Sequence, residues 1–209
     1  MNCKRPKRFG RYYFMKYSIY ILLIWGIASS FIPSTWTPTQ LAKANTAKEV
    51  KFLSRQEKEV VKYINLARLY PSDFSAFEVE NYMGTPKYGD YVKKSLYKKS
   101  LLKRLKSQKS LLALKATKAL SKSAQCFAKE QGKSGYVGHN RKKCEREGRG
   151  ECCSYGMSKG KDIAMQFLID HNVPGEGHRE MIFMDAFSLI GVGTYSHSVH
   201  GNCAVVEFK

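Results

Sequence analysis

Four residues have types and settings suited to chemistry: His139 in "GYVGHN", Glu151 in "GRGECCSY", Asp170 after "AMQFLI", and His178 in "PGEGHREM". Gly138 lets the main chain beside His139 approach a neighbour closely, which suits a histidine facing a cleft. The bland alternative is a surface loop histidine. Glu151 opens a segment of cysteines and an aromatic, where an unpaired buried carboxylate is costly. It either reaches a partner at a site or bonds the backbone of its own loop. Asp170 lies three residues after Phe167 and seven after Ile163. On a helix from Asp162 to His171 it shares their inward face. An acid at a helix C-terminus also opposes the dipole, which argues against an idle role. His178 sits in a loop with Gly175 and Gly177, and His171 competes with it. His197 and His200 fall in an expected hairpin loop and are expected to face solvent.

Nucleophile motifs are absent. The chain has no G-x-S-x-G, no H-E-x-x-H and no local cysteine-protease signature. "GKS" at 132–134 lacks the earlier glycine of a phosphate loop, because Phe127 stands there. Adjacent Cys152 and Cys153, with no C-x-x-C anywhere, make a poor pair of corners for one tetrahedral zinc site.

These residues need elements to position them. Ser54-Arg55-Gln56-Glu57 is a capping box. Val60, Ile64 and Ala67 continue as one apolar stripe, and Pro71 stops the helix. Residues 72–90, with Gly84, Pro86 and Gly89, read as loop. A basic amphipathic helix is expected at about 90–110, with Val92, Leu96 and Leu102 among its apolar positions. A further helix is expected over 112–133, with Leu120, Ala124, Phe127 and Ala128 inward and Gly132 as its stop. "LIGVGTY" and "GNCAVVEF" form a hairpin pattern. Helices precede and separate the strands without a βαβ repeat, so the fold class is α+β with an antiparallel sheet.

The 209 residues carry a formal charge of +19. Seven Lys and Arg and no acid lie in residues 1–44, and subtracting these seven leaves +12 for residues 45–209. That N-terminus reads as an export signal: a basic run to Lys16, an apolar run over 17–32, and Ala42-Lys43-Ala44 as a cleavage pattern. Cleavage after Ala44 is favoured over an uncleaved anchor, since sixteen apolar residues fall short of the about 20 a span needs. Residues 45–54 then read as a linker. In an exported, periplasmic or secreted protein, the five cysteines Cys126, Cys144, Cys152, Cys153 and Cys203 suggest two disulfides and one free thiol, with connectivity open. Residues 92–122 hold eleven Lys and Arg and no acid. This is either a solvated face or, through Lys93–Lys109, a surface for anionic membrane or cell-envelope polymers. Aromatics are not interleaved as base-stacking platforms, so no specific nucleic-acid partner is expected.

Taken in order, the motifs resemble the CAP superfamily (cysteine-rich secretory, antigen 5 and pathogenesis-related 1 proteins), in its exported bacterial form. "KYINLARLYPSDF" is similar to the first family helix, "LSKSAQCFAKEQGKSGYVGHN" to the helix leading to the first histidine, "GECCSYG" to the "GEN" segment, and "GHREMIFMDAFSLIGVG" to the second histidine motif. The match spans most of 55–209, with Cys152 in place of the family asparagine and Asp170 in place of its second glutamate. The resemblance implies a three-layer α-β-α sandwich whose cleft gathers His139, Glu151, Asp170 and His178. His139 and His178 would bind Zn²⁺ or a similar ion, with the acids orienting the imidazoles. Three functions follow as expectations. The first is a cleft binding a divalent metal and a lipid, glycan or peptide without turnover. The second is a metal-dependent peptidase or esterase with Glu151 or Asp170 as catalytic base. The third is an interaction protein with a vestigial cleft.

Overall fold

The computed structural model describes residues 35–86 and 92–209. The basic and apolar part of the expected leader, to residue 34, and the part of the loop reading at 87–91 lie outside the described residues. No helix among the described residues is long and apolar enough to cross a membrane.

The architecture is mixed, with seven α-helices and a four-stranded sheet among the described residues. Helix α1 (Pro38–Ala44) is capped by Thr37 and Gln40 in a capping box. It leads into α2 (Arg55–Leu69), where Ser54 and Glu57 form the expected reciprocal cap. Val60, Ile64 and Ala67 are fully buried. Residues 45–54 are not a free linker. Ala44, Ala47 and Leu53 are buried in the main core, and Asn65 Nδ2 donates to the Ala44 carbonyl at 3.1 Å. Tyr70 ends α2, and Pro71, whose missing N–H costs nothing at a first turn, begins α3 (Pro71–Phe74). A π-helical turn (Ser75–Val79) follows, so the expected loop from 72 starts as helix.

Helix α4 (Leu96–Ser107) is capped by Ser95. Its inward residues are Leu101 and Leu105, whereas Leu96 is exposed, contrary to the stripe expected from sequence. Lys98 is also buried, and its Nζ donates to the Glu80 and Tyr82 carbonyls at 2.9 Å. Extended chain then forms β1 (Lys115–Ala116), and Thr117 caps α5 (Lys118–Ser134). The helix expected from 112 therefore begins later. It also continues through Gly132 and ends at Gly135, which takes the left-handed conformation at φ 72°. The remaining elements are β2 (Gly150–Tyr155), α6 (Gly160–Ile169), α7 (Gly177–Ile182), β3 (Leu189–His197) and β4 (Gly201–Phe208).

The sheet order is β1-β3-β4-β2. β3–β4 and β4–β2 are antiparallel, as expected, but β1 joins β3 in parallel, so the sheet is mixed. Strand alternation sorts the side chains. Cys152, Val192, Ala204 and Val206 enter the large core shared with α2 and α6. Cys153, Cys203 and Val205 join Ala124, Phe127 and Ala128 of α5 in a second cluster. Glycine permits the close approach of α5: a Cβ on Gly193 would lie 2.2 Å from the Gln125 nitrogen. Glu57 ties the layers further, since its buried carboxylate accepts from the Thr194 N–H at 2.9 Å.

Candidate functional site

His139 follows α5 in a loop pinned back onto that helix. The Cys126–Cys144 disulfide closes the loop, and the Glu130 carboxylate accepts from the Lys142 and Lys143 N–H groups at 2.7 and 2.9 Å. Within this loop His139 Nδ1 lies 2.8 Å from Glu151 Oε1 on β2. Glu151 is buried, and its second oxygen accepts from Arg141. The same guanidinium reaches Glu207 Oε1 at 2.5 Å. Glu151 and Glu207 are register partners on β2 and β4, so Arg141 sits between two carboxylates that would otherwise face each other across the ladder.

The second pair lies at the end of α6. Asp170 is not on the helix face expected from sequence. It is the residue just past the helix, in the left-handed conformation at φ 55°, ψ 43°. There its carboxylate turns to α7. Oδ2 accepts from the His178 and Arg179 N–H groups at 2.8 and 3.2 Å, and Oδ1 meets His178 Nδ1 at 2.7 Å. Arg179 is buried and anchors this corner by donating to the Leu168, Ile169 and Tyr97 carbonyls.

The structure thus brings the four residues together as two carboxylate–imidazole pairs joined by β2. Cys153 connects them. Its Sγ is 3.7 Å from His139 Nδ1, and it lines a cavity of about 300 Å³ with Phe167, Asp170 and His178. His139, Glu151 and Cys153 have donor atoms within 4.8 Å of one another and are close enough to hold a metal ion. The expected ligand pair, His139 with His178, is not that group. In the group, though, each donor already serves another: the carboxylate holds Nδ1 and Arg141, and burial and the nearby Glu151 push the Cys153 thiol up to about 12. Among the described residues no group hydrogen-bonds Nε2 of His139 or of His178. A carboxylate holding Nδ1–H leaves Nε2 as the lone-pair donor, the usual arrangement for a ligating histidine.

Other histidines behave differently. His197, expected in solvent, is buried: its Nε2 donates to the Tyr136 carbonyl at 3.1 Å, and its Nδ1 accepts from the Val199 and His200 N–H groups. It shapes the hairpin turn. His171 lines the same cavity as Asp170 and His178 and bonds Ser95 Oγ at 2.9 Å. Sequence reasoning missed Arg141 and Glu207 as site residues, and it offered Cys153 as a disulfide candidate, whereas it is a free thiol. The one local signal for Arg141 is its place two residues after His139.

The cysteines also depart from expectation. Cys126–Cys144 is the one disulfide among the described residues, and Cys152, Cys153 and Cys203 are buried free thiols. Neighbouring strand residues point to opposite faces, so Cys152 and Cys153 enter different cores and cannot act as a pair. Burial raises all three thiols, Cys203 to about 11. Thiolate is the reactive form. In the native full-length chain at pH 8, mass-mapped iodoacetamide labelling will modify Cys152, Cys153 and Cys203 at least about a hundredfold more slowly than in urea. Because these folded values lie above the ordinary 9.0, their stabilisation is intact below about pH 9 and is lost as pH rises towards 12.

No protein-family model matches this chain, and no curated protein matches it.

Proposed function

We propose that the chain is an exported binding protein of the CAP type. In this reading the fold is a three-layer α-β-α sandwich, and the cleft takes a divalent ion such as Zn²⁺ together with an extracellular or envelope ligand, without turnover. The observation that carries the reading is the repeated geometry of His139–Glu151 and His178–Asp170, at 2.8 and 2.7 Å. Each acid fixes one imidazole and leaves one nitrogen for a ligand. A bound divalent ion would supply positive charge for a carbonyl or anionic oxygen.

Binding is favoured over hydrolysis because both acids are already engaged. Glu151 holds His139 and Arg141, and Asp170 holds His178 and two backbone N–H groups. Each acid is thus committed to orienting its imidazole rather than standing free as a general base. The exposed lysines of α4, among them Lys99, Lys103 and Lys106, would add attraction to an anionic envelope surface.

Calorimetric titration of the full-length chain with Zn²⁺ is the test. Wild type is expected to bind, and the His139→Ala/His178→Ala double variant to bind at least about tenfold more weakly. Equal binding by both sinks the shared site. Zinc-dependent turnover of peptide or ester substrates by the wild type would replace the binding reading with the hydrolytic one.

A further inference from the structure

β2 is an edge strand, since the sheet order leaves it paired with β4 alone. Its outward main-chain groups can be assigned. Tyr155 pairs with Cys203 in the register, and the next residue, Gly156, donates its N–H to the Asn202 carbonyl at 2.8 Å. In an antiparallel ladder alternate residues direct both main-chain groups to the partner and the others direct both away. Ser154 and Cys152 therefore face β4, while Glu151, Cys153 and Tyr155 face outward. The Tyr155 carbonyl is taken by Gln166 Nε2 at 3.3 Å. Among the described residues nothing hydrogen-bonds the outward N–H or carbonyl of Cys153.

That unpaired position, on a residue 8 % exposed, borders the cavity of about 300 Å³ whose wall includes Cys153, Phe167, Ile169, Val173 and His178. A main-chain donor and acceptor side by side, next to an apolar hole, is what an extended peptide recognises: its backbone continues the sheet and alternate side chains enter pockets. An alkyl chain has no use for the donor and acceptor. Natural sheets normally cover or charge such an edge.

We propose that the outer edge of β2 at Cys153 docks an extended peptide, which adds as a strand and places one apolar side chain against Phe167, Ile169 and Val173. This names the ligand class of the cleft assigned above and rests on that cleft being a binding site. It does not require the metal.

The test uses the ¹⁵N-labelled full-length chain in mild detergent with EDTA. The probes are pools of acetylated, amidated hexapeptides with leucine fixed at position three. In the free protein the Cys153 amide is expected to exchange at least about tenfold faster than those of Cys152 and Ser154. A binding pool is expected to slow it to their level. Replacing the ligand amide that pairs with Cys153 by an ester should weaken binding at least about tenfold. Cys153→Ala removes the thiol alone and is the baseline against which Cys153→Pro is read. Cys153→Pro removes the outward N–H as well, which an edge strand tolerates, and should bind peptide at least about tenfold more weakly than Cys153→Ala. The proposal is overturned if the Cys153 amide is already as protected as its neighbours, if no pool binds, or if the ester peptide binds as well as the amide. It is also overturned if a fatty acid or glycan, and no peptide, slows the exchange. Peptide binding in a chain that fails to bind Zn²⁺ would sink the metal reading and uphold this one.

Discussion

Arg141→Met will lose about 3–5 kcal/mol of stability, read as a lowered urea midpoint with an unchanged slope. Its guanidinium joins Glu151 and Glu207, and the three side chains are 8, 1 and 0 % exposed. Removing it strands two buried carboxylates directly opposite each other across β2 and β4, with like charge and no solvent to screen it. Glu207 keeps hydrogen bonds from Ser123 Oγ and from the Glu147 and Gly148 N–H groups, so Glu151 is the more disturbed of the two. Glu207→Gln in the Arg141→Met background should recover part of the loss, because one of the facing charges is gone. Arg141→Lys should recover little, since a point charge cannot span both acids in a planar fork. Zn²⁺ affinity is expected to fall in parallel, as Glu151 loses the group that aims it at His139. A loss below about 1 kcal/mol in Arg141→Met would mean that this bridge is a dispensable surface pair.

Arg68→Met is expected to cost a similar amount, about 3–5 kcal/mol, for a different reason. Arg68 is fully buried on α2, and burial lowers the pKa of its guanidinium. It donates to four main-chain carbonyls: Leu112 at 3.0 Å, Ile182 at 2.5 Å, Met184 at 3.0 Å and Phe187 at 3.1 Å. Methionine fills much of the volume but leaves these acceptors without donors, at about 1–3 kcal/mol for each that water cannot reach. One of the carbonyls ends α7 and two belong to the segment joining α7 to β3. Hydrogen exchange in Arg68→Met should therefore speed up first over residues 182–188, just beyond His178. Uniform loss of protection across the chain would show instead that Arg68 supports the whole core equally.

Features governed by neighbours in sequence were readable. The Ser54–Glu57 box starts α2, because its bonds lie within one turn. The stripe Leu120, Ala124, Phe127 and Ala128 is buried, because helical spacing alone puts it on one face. The 189–208 hairpin follows from strand composition around a short turn. The readings that failed depended on where a segment stops or what covers it. A helical projection carries Asp170 onto an apolar face, but α6 ends one residue earlier and the left-handed turn swings its carboxylate to α7. His197 lies in a polar loop by composition and is buried by the Tyr136 segment. An odd set of cysteines says nothing about strand faces, which is what keeps Cys152 and Cys153 apart.

The sequence by itself determined the α+β class, the main helices and hairpin, and the four residues His139, Glu151, Asp170 and His178 as those worth examining. Residue type and spacing carry that much, because capping, amphipathic burial and the cost of lone buried charge act locally. Only the tertiary structure decided that the four form two imidazole–carboxylate pairs, that Arg141 holds Glu151 against Glu207, and that β2 presents Cys153 at a sheet edge. These follow from strand order and register, which bring together groups as far apart as Arg141 and Glu207, 66 residues along the chain. No local propensity encodes a register of that range. It is set by the buried faces and turns of strands that meet only when the whole core closes.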